Sequence, residues 1–552
     1  MANTVVQVVG VLSIVWPVYW VLRRFLARTT LDNIPGPTSD SLFIGNLAMM
    51  FDRNAWRTHR VIEEKYGSVM KFHGVLGEKQ LYVSDPKALY HIFIKDYENY
   101  VEPEAFYVTN GLHFGKGIFN YQGDMHRKQR KLLSPAFSIS HMRQMSPIFY
   151  EVTNKVKAAF AKKVSKGPQE VQSRLAYFIL RFTYVQIEVL NWMTRTALEL
   201  IGQAGLGFSF DTLTDADEGS RYAKAVKELF PTEAPLLPAA VYLLPLAVKI
   251  GTPEFRRFVV DSIPWKKLHQ VRDTIDIMHE YAMKIYAEKK QAFLDGDESF
   301  ISKQVGGGKD VISTLIRANM SPTAKERISD SEVIGMIFAA MDTTSSALAR
   351  TLHTLATHAG AQDRLRHEIS QAMGDQNELT YDVLGELPFL DAVCKETMRL
   401  TTTNMILPLS RPIIGMDGTQ LNEVLIPANT SLYTSVLSSN RNPVIWGPDS
   451  YEWKPERWLN PLPQTLVDAP IPGIYPHLMT FLGGPHSCLG FTFAQLEMKV
   501  VLSVLIKNFK FAPSSKNDDL IWETPGISSP SLIVDGEKVS QLPLVVSAVH
   551  LA

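Results

Sequence analysis

Apolar and polar residues recur along this chain with two periods, and the helical period dominates. Trp56–Tyr66 carries apolar positions three and four apart and predicts a helix. Val69–Phe72 and Gln80–Val83 alternate instead and predict a small hairpin. Tyr100 to Tyr121 is aromatic but aperiodic (Phe106, Tyr107, Phe114, Phe119) and reads as a loop. A basic helix follows from Gly123 to Lys131, and about Ile148 to Leu294 is helix-rich. Ala234–Ile250 is apolar, but Pro235, Pro238 and Pro245 interrupt it; proline removes a backbone donor and breaks a long helix, so no spanning segment is expected there. The plain reading of that stretch is core and loop; the sharper one is a surface that dips into a bilayer. Asp295–Asp310 is polar and glycine-rich and predicts a surface loop. Ser329 with Glu332 forms a capping box that opens a long helix running to His358, with Gly360 as its stop. About thirty residues at roughly 1.5 Å each would carry that helix across a whole domain. Phe491–Phe509 closes the set with good helix formers. The fold class predicted is mainly α with a small β-rich part.

The N-terminus departs from this pattern. Met1–Leu22 has no charged side chain, and Val5–Leu22 is near the length needed to cross a hydrocarbon core of roughly 30 Å. Trp16, Tyr19 and Trp20 suit a membrane interface, and Arg23, Arg24 and Arg28 follow at once, which puts the C-terminal side in the cytosol. A cleaved signal peptide would carry its positive charge before the apolar run. Residues 1–24 are therefore expected to be one transmembrane anchor. Residues 25–50 are expected to be a linker, with Ile34-Pro35-Gly36-Pro37 as a stiff hinge, and residues 51–552 a catalytic domain.

Lys+Arg and Asp+Glu both number 56, so no global charge recruits nucleic acid. The chain has two cysteines, Cys394 and Cys488, too few for a disulfide scaffold or a multi-cysteine zinc or iron–sulfur site.

One cysteine stands where chemistry is expected. Phe481-Leu482-Gly483-Gly484-Pro485-His486-Ser487-Cys488-Leu489-Gly490 is a glycine-rich loop that ends at a helix start. Unpaired N–H groups there favour a thiolate, and glycines permit unusual backbone angles and the approach of a large flat ligand. Thiolate ligation is one of the few ways proteins hold haem iron. Ala339-Ala340-Met341-Asp342-Thr343-Thr344 places an acid and hydroxyls within the apolar long helix. Such groups are costly there unless paired or used, and threonine bonding back to the preceding turn is the plainer account. Glu396 and Arg399 are three apart on one helix and can pair. His126 and Arg130 share a face of the basic helix, which by itself fits a solvated surface equally well.

Together these motifs resemble the cytochrome P-450 family. Phe481, Gly484, Cys488 and Gly490 fit its cysteine loop, with His486 where arginine is usual. Ala339–Thr344 is similar to its oxygen-activation motif, with Ala340 in the glycine position. Lys454-Pro455-Glu456-Arg457-Trp458 is similar to its P-E-R-F segment, with Trp458 for phenylalanine. Thr401-Thr402-Thr403-Asn404 departs from the usual proline pair. The motif order is closest in style to fungal microsomal members.

The resemblance implies the cytochrome P-450 fold behind one N-terminal transmembrane helix, a haem b ligated by the Cys488 thiolate, and Asp342 and Thr343 as the proton-delivering catalytic pair. His126, Arg130, Arg411 and His486 would neutralise the propionates, and Glu396, Arg399 and Arg457 would form a structural lock. It implies a monooxygenase that inserts one atom of O2 into a C–H bond of a hydrophobic small molecule, in terpenoid-like secondary metabolism or lipid oxidation. The chain has no G-x-G-x-x-G site and no flavin signature, so electrons must come from outside. NADPH-cytochrome P-450 reductase is the partner implied, with cytochrome b5 as a second donor, and Arg127, Lys128 and Lys131 are the expected docking patch. The location expected is the endoplasmic reticulum membrane, single-pass, with the N-terminus lumenal. The rival readings are a haem-thiolate isomerase or dehydratase that uses no O2, and a non-enzymatic haem-binding membrane protein.

Overall fold

A computed structural model describes residues 28–52, 55–167, 184–214, 220–295, 310–320, 341–400, 413–421, 423–523, 528–534 and 536–549, together with Val15 and Tyr19. The chain forms two compact units. One comprises Met1–Tyr100, Arg399–Glu452 and Leu462–Ser487; the other Val101–Met398, Trp453–Pro461 and Cys488–Ala552.

The first unit is built on the hairpin. Val69–His73 pairs antiparallel with Lys79–Val83, and Leu432–Thr434 adds a parallel third strand on the second. Side chains alternate across a strand, so the two faces enter different clusters. Val69, Leu81 and Val83 pack with Leu89, Phe93 and Met479, whereas Met70, Phe72 and Tyr82 pack with Met50 and Ile62. The proline segment lies along the hairpin. Ile34 is buried, the Lys71 N–H donates to the Pro35 carbonyl at 2.8 Å, and a Cβ on Gly36 would lie 1.7 Å from the Lys71 carbonyl oxygen. Only glycine fits that approach, so the segment is docked along the strand.

The second unit carries most of the helices, among them Ile139–Ser165, Val189–Leu200, Arg221–Glu233, Lys266–Leu294, Met341–Thr357, Ala359–Met373 and Phe491–Asn508. Its largest sheet sets Pro543–Ala548 between Tyr184–Glu188 and Phe509–Pro513, all antiparallel. Two sequence expectations fail here. The aromatic stretch after Tyr100 contains a helix, Glu104–Phe114, which begins after Pro103 and ends at Gly115 with φ 74°. It was hidden because it buries only Ala105 and His113 and so shows no apolar stripe. Gly360 is not a stop either, because it lies in the first turn of the Ala359–Met373 helix. The preceding helix ends at Thr357, where the Thr357 hydroxyl donates to the Thr354 carbonyl at 2.9 Å and His358 Nδ1 meets it at 2.8 Å. These side chains satisfy terminal carbonyls that a glycine turn would otherwise serve. The capping box at Ser329 lies outside the described residues.

The three prolines of Ala234–Ile250 occupy first turns of short helices, Leu237–Tyr242 and Leu244–Ala247 among them. Among the described residues no helix is long and apolar enough to cross a membrane. The stretch expected to be the anchor lies, apart from Val15 and Tyr19, outside them.

The Phe491–Asn508 helix is packed on nearly all sides, and it buries an acid. Glu497 is fully enclosed, and neither carboxyl oxygen has a hydrogen-bond partner among the described residues. Burial disfavours the charged form and pushes its pKa well above the ordinary value. Below the unfolded-state pKa both states hold the proton, so pH has no effect through this group. Above it, unfolding releases a proton that folding retains, and stability falls by about 1.4 kcal/mol per pH unit until the folded pKa is reached. Glu497→Gln should flatten that decline; urea midpoints measured from about pH 5 to pH 7 in both proteins check it.

Candidate functional site

The cysteine loop owes its shape to two glycines. Gly484 has φ 66°, and a Cβ there would lie 1.9 Å from the Phe93 carbonyl oxygen; a Cβ on Gly483 would lie 1.3 Å from that of Pro472. Gly490 is different. It is the N-cap of the Phe491–Asn508 helix at an ordinary φ of −84°, with open space where a side chain would stand. Its value is therefore clearance beside the cysteine rather than backbone freedom. Phe481 is half-buried, with its ring edge on Tyr475 at 5.9 Å, and His486 is exposed.

Cys488 is a free thiol with accessible surface. Surrounding protein nevertheless excludes enough water to push its pKa up. The Gly490 backbone N–H and the Arg130 guanidinium pull the other way but do not prevail. The helix start alone does not make the thiolate; coordination to a metal deprotonates such a thiol outright. Cys394 contrasts with it, being buried and pushed up to about 12.

Arg130 lies on the helix Gly123–Leu133, whose inner face buries His126, Gln129 and Leu133. The structure brings Arg130 and Cys488 within electrostatic reach, since each perturbs the other. Gln129 Nε2 is buried without a hydrogen-bond partner among the described residues. Of the expected docking residues, Arg127 and Lys131 are exposed while Lys128 is half-buried, and Arg127 is engaged by Asp124 at 2.8 Å. Arg411 and the Thr401–Asn404 departure lie outside the described residues.

Asp342 is half-buried, and its pKa is raised to about 6, with burial dominant and Lys227 opposing it. Thr343 is exposed, and the carbonyls to which it would bond back, those of Ala339 and Ala340, lie outside the described residues. Thr351 and Thr354, further along the same helix, do bond back, to Ala347 and Arg350 carbonyls at 2.8 Å each. Ala339 and Ala340 lie outside the described residues. Lys227 was missed in the sequence, where one of two lysines in the Arg221–Glu233 helix gives no signal.

Glu396 is fully buried, accepts from the Lys454 backbone N–H at 3.0 Å and the Trp458 indole N–H at 2.9 Å, and forms an ion pair with Arg457 Nε at 3.5 Å. Trp458 thus contributes a donor that phenylalanine would lack. Arg399, in the other unit, is itself fully buried and donates to the carbonyls of Asn440 at 3.0 Å, of Ser450, and of Glu452 at 2.9 Å.

An accessible sulfur with no disulfide partner, clearance at Gly490, and a guanidinium beside them fit a flat, anionic, iron-bearing ligand. Comparison with known proteins agrees. The Cytochrome P450 family model matches residues 35–533. Cytochrome P450 monooxygenase 91 of Postia placenta is 46% identical, covering 96% of this chain and 97% of that one. Cytochrome P450 monooxygenase 81 of the same fungus is 43% identical over 97% and 96%. Ganoderic acid synthetase CYP5150L8 of Ganoderma lucidum is 39% identical over 97% of each. The chain belongs to the cytochrome P450 family. It is an oxidoreductase of the monooxygenase kind, and its cofactor is haem b held by a cysteine thiolate.

Proposed function

We propose that this protein inserts one atom of O2 into a C–H bond of a hydrophobic small molecule, drawing electrons from an NADPH-dependent reductase. The observation that carries the reading is the pairing of Asp342, an acid poised at about 6, with the accessible Thr343 hydroxyl. A group that titrates near neutrality can both hold and release a proton, and an adjacent hydroxyl can pass it on. Bound haem supplies the oxygen activation. Cys488 would hold its iron and Arg130 would balance a propionate, with His126, His486 and Arg411 in the same role. Asp342 and Thr343 would deliver protons on the substrate side. A terpenoid-like or lipid substrate is supported by the relative named for ganoderic acid synthesis. Conversion of a candidate substrate under isotopically heavy oxygen gas, with reductase and NADPH, tests the reading: the product should gain one heavy atom.

Thr343→Ala should keep substrate binding but divert reducing equivalents into peroxide, because proton delivery is mistimed. The ratio of product to NADPH consumed checks this, and an unchanged ratio would remove Thr343 from the reaction. Asp342→Asn should slow turnover more than it weakens binding.

The protein is further proposed to sit on the endoplasmic reticulum membrane through residues 1–24. Leu243, Leu246, Ile250 and Phe258 expose 61–68% of their surface and support contact with lipid. Reductase docking is assigned to Arg127, Lys128 and Lys131. Reversing Lys128 and Lys131 to Glu should raise the reductase concentration needed for half-maximal rate at low salt. The effect should shrink once the screening length falls to about 8–10 Å. Stopped-flow reduction at two ionic strengths measures it, and indifference to both changes would place docking elsewhere.

A further inference from the structure

Arg350 stands two turns beyond Asp342 on the Met341–Thr357 helix. Its guanidinium lies over the Trp522 ring, 4.4 Å from the ring centre. It is half-buried, no carboxylate or carbonyl accepts from it among the described residues, and burial alone holds its pKa down to about 10. The acid beside Trp522 in sequence, Glu523, is turned to Lys538 instead. His353, three residues on and on the same helix face, meets the same indole: Trp522 Nε1–H donates to His353 Nδ1 at 3.3 Å, with ring centres 5.9 Å apart. That bond makes Nδ1 the acceptor and leaves the proton on Nε2, so the second nitrogen is a donor too. Burial, Arg350 and His358 hold the His353 pKa down to about 4, and the ring is neutral at physiological pH.

The cluster therefore presents donors and a fixed positive charge with no acceptor for them among the described residues. An anion that completed a half-buried guanidinium would gain charge-assisted hydrogen bonds. The indole ring lies against the guanidinium carbon, and no described side chain or carbonyl accepts from the guanidinium N–H groups. A planar fork of N–H groups binds a carboxylate through two parallel hydrogen bonds. Accessibility continues along the helix from Arg350 through Ala347 to Thr343, seven residues and roughly 10 Å away at 1.5 Å per residue.

We propose that Arg350, His353 and Trp522 form a binding site for the carboxylate of an apolar small molecule. Its occupation does not depend on the reaction proposed above.

The test uses the haem-loaded protein with benzoate, acetate and inorganic phosphate as probes, followed by thermal melting and tryptophan fluorescence. Benzoate should raise the melting temperature saturably and at lower concentration than acetate, with phosphate the weakest. Arg350→Met should abolish the benzoate shift, and Arg350→Lys, which keeps the charge but not the planar fork, should weaken it at least tenfold. Trp522→Phe should remove the fluorescence response. Should Arg350→Met fail to load haem, Arg350→Lys and His353→Phe carry the comparison. A benzoate shift undiminished in all three, or no shift in the unaltered protein, overturns the site. Phosphate binding tighter than benzoate overturns the carboxylate assignment. Thr343→Ala should leave benzoate binding unchanged, which separates this site from the failure or success of the oxygen-insertion reading.

Discussion

Cys488→Ala should abolish the thiolate-type Soret band of the reduced, carbon monoxide-treated protein, and Cys394→Ala should leave that band intact. The two cysteines of the chain make this a contained comparison. Cys488 has accessible surface, clearance at Gly490 and a cation in Arg130. Cys394 is sealed in the core with its thiol pushed up to about 12, so it offers neither access nor a thiolate at neutral pH. Replacing a buried cysteine by alanine removes one heavy atom and leaves a small cavity, a stability cost rather than a spectral one. The Cys488 change should cost nearly all catalytic activity. Exchange of the two outcomes would mean that the wrong sulfur has been assigned.

Glu396→Ala should be the most damaging change away from the cysteine. The carboxylate is enclosed, accepts from the Lys454 N–H and the Trp458 indole, and pairs with the Arg457 charge. Removing it strands a guanidinium and two N–H groups in a place water does not reach. Breaking a buried pair by deleting one partner costs about 3–5 kcal/mol, against a total stability of about 5–15 kcal/mol for typical domains. The expected result is a steep loss of folded, haem-loaded protein and a lowered urea midpoint. Glu396→Gln should fall between, because an amide accepts through one oxygen and turns a donor toward donors. Trp458→Phe should cost about 1 kcal/mol, since it leaves one carboxylate oxygen short of a single bond. Equal urea midpoints for Glu396→Ala and the unaltered protein would remove the lock from any account of stability.

What could be read from the sequence was whatever a local rule controls. The hairpin at Val69 and Lys79 follows from alternation, and its two faces enter two clusters as the pleat requires. The cysteine loop and the Asp342–Thr343 pair were legible because rare residue types stand at fixed spacing. The Glu104–Phe114 helix was not, because it buries so little that no stripe betrays it. The helix end at Thr357 was missed because side chains, not glycine, close it. Lys227 beside Asp342, Trp458 on Glu396 and Trp522 under Arg350 all depend on segments far apart in sequence, which periodicity cannot join. The thiolate argument was legible in direction but incomplete, because the helix start favours the anion while burial, invisible in the sequence, opposes it more strongly.

The docking of Pro35 and Gly36 against Lys71 also has a mechanical side. Thr30 donates to the Leu425 carbonyl at 2.7 Å, the Met416 N–H donates to the Asn33 carbonyl at 2.7 Å, and the Asp417 N–H to Asn33 Oδ1 at 2.9 Å. With the Lys71–Pro35 bond, these rivets fix the chain along its whole run from Thr30 to Gly36. A pull applied at Thr29 therefore meets no slack swivel: tension passes first into the loops at Leu425 and Met416 and then into the hairpin sheet. Torque applied at Thr29 would pass the same way, as a shaft turns with its key. Gly36 is the keyway, and a side chain there would lift the shaft out of its seat.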